Sequence, residues 1–145
     1  RSFIFPTQAQ REHAVDLKLN PLRAVVEGKR VVLIDDSIVR GTTCDRIVAA
    51  MRRAGAKEVH LRISSPPFRH TCYFGTDIGS EENLIANQLS IPEIEKKTGA
   101  DTLGYISVAG LLEACRGSRL ALCTGCFTGE YATQVGAASK DSLEG

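Results

Sequence analysis

A run of four apolar residues, 31–34, is the strongest hydrophobic signal in this chain. Three of the four are β-branched, which is typical of a buried strand. We therefore expect a fully buried central strand that ends at two adjacent carboxylates, Asp35 and Asp36. A helix is predicted from Thr42 to Ala54, because apolar residues recur there at helical spacing. Its apolar face consists of Ile47, Val48, Met51 and Ala54.

The elements that follow predict a parallel sheet. Polar and apolar residues alternate over 58–63, as in a strand with one buried face. Strand, helix and strand within about 35 residues indicate a right-handed crossover. Two short helices over 81–88 and 91–98, a brief strand over 102–106 and a helix after Ser107 are expected next. The apolar face of that last helix is Val108, Leu111, Leu112 and Cys115. The predicted fold class is α/β, a parallel sheet with flanking helices.

The loop between the first strand and its helix has the composition of an anion site. It consists of Ser37, Ile38, Val39, Arg40, Gly41, Thr42 and Thr43. Backbone N–H groups at a helix start, together with the three hydroxyls, can hold a phosphate. The neighbouring carboxylates would repel a bare phosphate, whereas a sugar diol and Mg²⁺ fit between them. The alternative is a turn that caps the helix, but a turn does not require two carboxylates and a hydroxyl-lined loop. We prefer the site.

Length and charge limit the function classes. The 145 residues amount to about one domain, and 43% of them are hydrophobic, enough for a core. A net charge of +1 gives no field for nucleic acid or a membrane surface. No apolar run approaches the roughly 20 residues that span a bilayer. The chain opens with Arg1, not Met, as expected of a piece of something longer. From charge alone, the basic segment 1–20 is preferred as a solvated surface helix.

Five cysteines, an odd number, argue against a secreted disulfide framework and favour a reducing cytoplasm. Cys123 and Cys126 form a C-x-x-C pair, a moderate metal signal. Together with Cys72 they lie one ligand short of the four cysteines of an iron–sulfur cluster. His70 could instead complete a zinc site, and both alternatives stay open. The remaining two, Cys44 and Cys115, are expected to be small buried residues.

The motif over 31–43 resembles the phosphoribosyl pyrophosphate (PRPP) motif of type I phosphoribosyltransferases. Several other segments extend the resemblance. The chain resembles the C-terminal part of the transferase domain in the amidophosphoribosyltransferase family. The segments follow the family's order and are Arg1 to Ile4, Val15 to Asn20, Val32 to Thr43, Ile63 to Pro67, Gly99 to Leu103, and Cys123 to Gly129.

The resemblance implies roles for particular residues. Asp35 and Asp36 would bind the ribose of PRPP and Mg²⁺, and the loop 37–43 its 5′-phosphate. The segment 1–20 resembles the family's flexible loop, which closes over PRPP, and this reverses the preference for a surface helix. The basic residues of that loop are Arg1, Arg11 and Lys18. Three cysteines are similar to the ligands of a 4Fe–4S cluster in the family: Cys72, Cys123 and Cys126. The fourth ligand would lie outside this chain.

The implied function is that of the PRPP-binding part of an enzyme. The family converts PRPP and glutamine to 5-phosphoribosylamine, pyrophosphate and glutamate, the first step of de novo purine biosynthesis. Purine nucleotides would inhibit it, and the parent would be a homo-oligomer. The family's glutaminase domain and its early transferase strands do not occur in this sequence. We therefore expect an inactive fragment without a catalytic nucleophile, with residues 1–117 from the transferase domain and 118–145 as a cysteine-bearing, polar C-terminal segment.

Two other functions are considered. The first is a non-catalytic sensor of PRPP or nucleotides on a phosphoribosyltransferase fold. A sensor has no evident use for the three cysteines together with Phe127 to Gly129, so the enzyme is preferred. The second is a dinucleotide-binding module, which is weaker because the G-x-G-x-x-G fingerprint does not occur.

Overall fold

The computed structural model describes residues 21–76, 78 and 80–133. The predicted flexible loop, with Arg1, Arg11 and Lys18, lies outside these residues. The polar C-terminal end from residue 134 also lies outside them. The boundary proposed after residue 117 stays a prediction.

The sheet consists of three parallel strands in the order β1-β2-β3. The strands are β1 (Arg30–Asp35), β2 (Glu58–Ile63) and β3 (Thr102–Tyr105). Asp35 lies opposite Ile63, and Ile63 opposite Tyr105, so the carboxyl ends of all strands meet at one edge. The predicted α/β class and parallel sheet are confirmed.

Six helices flank or follow the strands in the described residues. They are α1 (Arg23–Val26), α2 (Thr42–Arg53), α3 (Ile85–Gln88), α4 (Ile91–Thr98), α5 (Val108–Ala114) and α6 (Gly125–Thr128). The single helix predicted over 81–88 is wrong. A 3₁₀ turn, Glu81–Asn83, precedes α3, because Leu84 between them has an extended backbone with ψ of 122°. None of the described helices is long and apolar enough to cross a membrane.

The main core lies between one face of the sheet and helices α2 and α4. Val59, Leu61 and Ile63 of β2 are buried there, together with Val48 of α2 and Ile94 of α4. Of the predicted apolar face of α2, Val48 is buried, whereas Ile47, Met51 and Ala54 are half-buried. The buried side of the helix also includes Cys44, one turn before Val48.

The opposite face of the sheet is open among the described residues. Val32 is 60% exposed and Ile34 is 72% exposed, and β1 is an edge strand. The predicted buried central strand is therefore wrong for the part of the chain described here. A run of four apolar residues is typical of a parallel strand that is covered on both faces. Among the described residues, β1 is covered only on the face that packs against α2.

A second cluster anchors the C-terminal segment. Phe68, Ile78 and Leu84 are buried in it, and Phe127 of α6 packs against Phe68 with ring centroids 4.9 Å apart. Helix α5 has no buried residue, and Cys115 at its end is only half-buried. The prediction of a small buried Cys115 is therefore wrong, because the apolar face to which it belongs is only partly covered: Val108 and Leu111 are half-buried and Leu112 is exposed.

Candidate functional site

The acidic pair lies at the carboxyl edge of the sheet, and the chain holds it from several sides. Ser64, directly after β2, donates to the carbonyl oxygen of Asp35 from its backbone N at 3.0 Å and from its Oγ at 3.1 Å. The loops after β1 and β2 are thereby joined. In parallel α/β sheets this edge is where ligands bind.

The two carboxylates have different surroundings. Asp35 is half-buried, and its Oδ1 accepts from the backbone N of Asp36 at 3.0 Å. Its Oδ2 accepts from Sγ of Cys44 at 3.5 Å. Asp36 is exposed and accepts from Oγ of the adjacent Ser37 at 2.9 Å. One carboxylate is thus fixed by a distant residue, whereas the hydrogen bond recorded for the other comes from its sequence neighbour.

The loop after the pair is shaped by contacts with the core. Ile38 is 2% exposed and points into the core, so only its backbone can face a ligand. The carbonyl oxygen of Val39 accepts from the N of Ile85 at 2.9 Å. Gly41 has a left-handed φ of 83°, and a Cβ there would lie 2.6 Å from Cδ1 of Ile85. The loop backbone is therefore held in one course, and Arg40 remains exposed.

Helix α2 starts directly behind this loop. Gly41 precedes it, and no side chain caps its first N–H groups within the described residues. Thr42 is exposed and Thr43 half-buried, so their hydroxyls flank the helix start. Uncapped N–H groups at the positive end of the helix dipole can bind an anion by donating hydrogen bonds to it. The structure thus places the predicted residues 35–43 between the edge of the sheet and the start of α2, with Ile38 and Gly41 buried.

Sequence reasoning missed two residues at this edge. Ser64 appeared only within the segment Ile63 to Pro67 that carries the resemblance, and Cys44 only as a small buried residue. Cys44 is indeed buried, at 3% exposure. Burial, followed by the charge of Asp35, raises the pKa of the Cys44 thiol to about 12. Its position in the first turn of the helix behind the acidic pair was the available signal, but a sequence does not show which way the thiol points.

Two buried hydroxyls lie near the same edge. The Oγ of Ser65 and the OH of Tyr105 have no hydrogen-bond partner in the described structure. Burial, and then the neighbouring Cys44, raises the pKa of Tyr105 to about 12. Tyr105 also packs against the core cluster that contains Cys44, whose thiol contacts Asp35.

The cysteines of the predicted cluster lie around the second apolar cluster. Cys72 and Cys126 both pack against it, and Cys123 is exposed. Burial works to raise the pKa of Cys72, but N–H groups of Gly75, Phe74 and Thr76 point to its sulfur and together lower that pKa to about 7. Burial, and then the charge of Cys72, raises the pKa of Cys126 to about 11.

The fourth ligand of the cluster is expected from outside this chain, and the described residues do not by themselves complete a metal site. No group of three or more His, Cys, Asp or Glu side chains among residues 21–76, 78 and 80–133 could hold a metal ion. His70, the zinc alternative, has its Nδ1 3.0 Å from Oε1 of Glu81. Cys126 is nevertheless tied to the rest of the fold, because its carbonyl oxygen accepts from the backbone N of Arg69 and of His70. The segment around α6 is thus docked without a complete ligand set.

Comparisons with known proteins agree with this geometry. A family model described as the phosphoribosyl transferase domain matches residues 5–65. The chain is 52% identical to amidophosphoribosyltransferase of Bacillus subtilis (strain 168) over 139 residues, 93% of this chain and 29% of that protein. It is 53% identical to amidophosphoribosyltransferase of Methanocaldococcus jannaschii, over 93% of this chain and 28% of that protein.

A solved structure gives the same relation. It is the glutamine PRPP amidotransferase from B. subtilis complexed with ADP and GMP, with a TM-score of 0.78 and 51% identity over 96% of this chain and 31% of that one. The chain therefore spans under a third of the length of these relatives.

Proposed function

We propose that the chain binds PRPP at the carboxyl edge of its sheet. It has part of a phosphoribosyltransferase fold, and it is similar to amidophosphoribosyltransferases along 93% of its length. The observation that carries this proposal is the acidic pair beside an uncapped helix start. Asp35 and Asp36 would bind the ribose hydroxyls, and the loop 37–43 the 5′-phosphate. Carboxylates accept from a diol, while the N–H groups of α2 face an anion.

Magnesium fits the donor set at this edge. Mg²⁺ prefers oxygen ligands and is held by one or two carboxylates together with substrate phosphates. Asp35 and Asp36 supply such carboxylates, and Asp36 is exposed enough to meet a hydrated ion. Bound there, Mg²⁺ would supply positive charge to the pyrophosphate of PRPP.

The whole protein would form 5-phosphoribosylamine from PRPP and glutamine, with release of pyrophosphate and glutamate, as the first step of purine biosynthesis. This chain would contribute the phosphoribose half of the site. Its residues would orient C1 of the ribose toward ammonia, which displaces pyrophosphate there. The effect of such residues is positioning and charge stabilisation, which can lower a barrier without a protein nucleophile. This chain by itself is proposed to be inactive, and the whole protein to be a homo-oligomer.

Purine mononucleotides are proposed to compete at the same loop. Their 5′-phosphate and ribose match the groups that the loop and the acidic pair would bind. The solved B. subtilis relative is complexed with ADP and GMP, which supports this proposal.

An iron–sulfur cluster is proposed for the C-terminal segment, with Cys72, Cys123 and Cys126 as three ligands and the fourth from outside this chain. The chemistry fits in kind, since N–H groups already stabilise a thiolate at Cys72. It does not fit in number, because a 4Fe–4S cluster takes four cysteines. Five free cysteines also fit a reducing, cytoplasmic compartment.

Titration calorimetry with PRPP and Mg²⁺ tests the site. Replacing Asp35 and Asp36 together by Asn should weaken Mg²⁺-dependent binding at least about tenfold, because hydrogen bonds to charged groups contribute about 1.5–3 kcal/mol each. Glu113→Gln, an exposed carboxylate change on α5, is the control and should bind like the wild type. Unchanged PRPP affinity in the double variant would place the ribose elsewhere.

Anaerobic reconstitution with iron and sulfide tests the cluster. Weak cluster absorption that disappears in Cys123→Ser supports three partial ligands. Tight binding of one zinc ion that depends on His70 would contradict the cluster and favour the zinc alternative.

A further inference from the structure

The thiol of Cys44 lies directly against one carboxylate of the acidic pair. Cys44 is in the first turn of α2, nine residues after Asp35, and its Sγ donates to Oδ2 of Asp35 at 3.5 Å. Because Cys44 is 3% exposed, this contact is made from inside the core. The hydrogen bond therefore couples the core to the exposed site.

The same carboxylate is fixed on its other side as well. Oδ1 of Asp35 accepts from the N of Asp36, and its carbonyl oxygen accepts twice from Ser64. Donors thus contact both oxygens of the carboxylate, the N of Asp36 on Oδ1 and Cys44 on Oδ2, while Ser64 fixes the main chain of Asp35. A carboxylate that binds both hydroxyls of a diol must be held in one rotamer, since small displacements loosen such contacts.

The thiol itself has little freedom to turn away. Cys44 belongs to the main core cluster with Ile38, Leu61 and Ile63, and Tyr105 packs against that cluster. Cores are packed densely enough that a buried side chain keeps its rotamer. Cys44 is thus held by packing on one side and points to Asp35 on the other.

We infer that Cys44 is a positioning residue for the ribose-binding carboxylate of Asp35. The inference rests on the proposed function, since it assigns Cys44 to the same site. An S–H group is a weak donor, so it orients the carboxylate without neutralising its charge. Among the described residues, the carboxylate of Asp36 accepts only from its neighbour Ser37, so the effect of Cys44 falls on the part of the ligand that meets Asp35.

This assignment predicts a dependence on the sugar diol. NMR titrations of the full chain with ribose 5-phosphate and with 2-deoxyribose 5-phosphate, both with Mg²⁺, separate the diol from the phosphate. Cys44→Ala should weaken ribose 5-phosphate binding about three- to tenfold, which equals about 0.7–1.4 kcal/mol and lies within the range of one hydrogen bond. Binding of the deoxy sugar, which lacks one hydroxyl of the diol, should change less than about twofold.

Two further variants separate positioning from packing. Cys44→Ser keeps a donor at this position and should restore ribose 5-phosphate binding to within about twofold of the wild type. Cys115→Ala, a half-buried cysteine at the end of α5, is the matched control and should leave both affinities unchanged. If Cys44→Ala weakened both sugars equally, or if serine did not restore binding, the role would be structural and the inference overturned.

A readout without ligand tests the hydrogen bond directly. The infrared S–H stretching band of Cys44 is obtained as the difference between the wild type and Cys44→Ala. Asp35→Asn offers a weaker acceptor, so the band should move to higher frequency. An unmoved band would overturn the inference even where the proposed function holds. A third outcome is that the wild type binds neither sugar phosphate although the S–H band moves. The hydrogen bond would then exist, but the proposed function would fail, and Cys44 would have no ribose site to position.

Discussion

Substituting Gly41 by Ala is predicted to be the most destabilising single-methyl change in the loop that precedes α2. Two terms add at this position. Its φ of 83° is left-handed, which costs a residue with a Cβ about 1–2 kcal/mol. The added Cβ would also lie 2.6 Å from Cδ1 of Ile85, a side chain only 1% exposed, and overpacking costs about 1–3 kcal/mol. We expect a total loss of about 2–5 kcal/mol in the free energy of unfolding.

A second glycine separates the two terms. Gly28 has a left-handed φ of 69°, but a Cβ there would meet nothing within 4 Å. Gly28→Ala should therefore show only the backbone term, about 1–2 kcal/mol. The difference between the two variants measures the contact with Ile85.

Removing the contacted atom gives an independent check. Ile85→Val lacks Cδ1, so Gly41→Ala should cost less in that background. A double-mutant cycle from urea unfolding, followed by circular dichroism, should give a coupling energy of about 1 kcal/mol or more. If Gly41→Ala were no worse than Gly28→Ala, and Ile85→Val did not change its cost, the packing argument would be refuted. The contact also means that bulky changes at Gly41 disturb packing, so Thr42→Ala and Thr43→Ala are cleaner probes of the phosphate site.

Two other predictions concern titratable groups. In the metal-free chain, iodoacetamide at neutral pH should label Cys72 well before Cys126, because their pKa values are about 7 and about 11, and mass spectrometry of the peptides measures the order. Equal labelling rates would show that the N–H groups do not stabilise the Cys72 thiolate. The pKa of Asp101 is lowered by the backbone N–H of Val59, and then by Arg52, so its stabilising effect is present above the unfolded-state pKa and is lost in acid. The gap in melting temperature between the wild type and Asp101→Asn should therefore shrink as the pH falls below about 4, and a gap that widens there would contradict this sign.

Local signals in the sequence were sufficient where an element depends on its own residues. The strand over 58–63 and the helix over 91–98 have the predicted bounds, and in the latter the carboxylate of Glu93 accepts from the backbone N of Ser90 at 2.8 Å. The α/β class followed from the same patterns. The exposure of β1 did not follow, because four apolar residues show that a strand suits a buried place and not which elements cover it in this chain.

The candidate site was predictable in its position but not in its support. The composition of residues 35–43 indicated the acidic pair and the loop. The hydrogen bond from Cys44 to Asp35 depends on how α2 is rotated against the sheet, and no spacing rule encodes that rotation. The metal expectation is limited for a related reason, since two cysteines on one apolar cluster and a third nearby do not amount to a ligand set.

Helix α2 is attached at both of its ends. Its first turn contacts Asp35 through Cys44, and in its last turn Arg52 binds the carboxylate of Asp101 at 2.6 Å. That carboxylate also accepts from the backbone N of Val59 at 2.6 Å, at the opposite end of the sheet. The helix, about 18 Å long, is therefore held by side-chain contacts at both ends. Sliding or tilting of the helix would break the contact between Cys44 and Asp35 or the one between Arg52 and Asp101. A ligand that enters therefore meets a helix start that is already held in place.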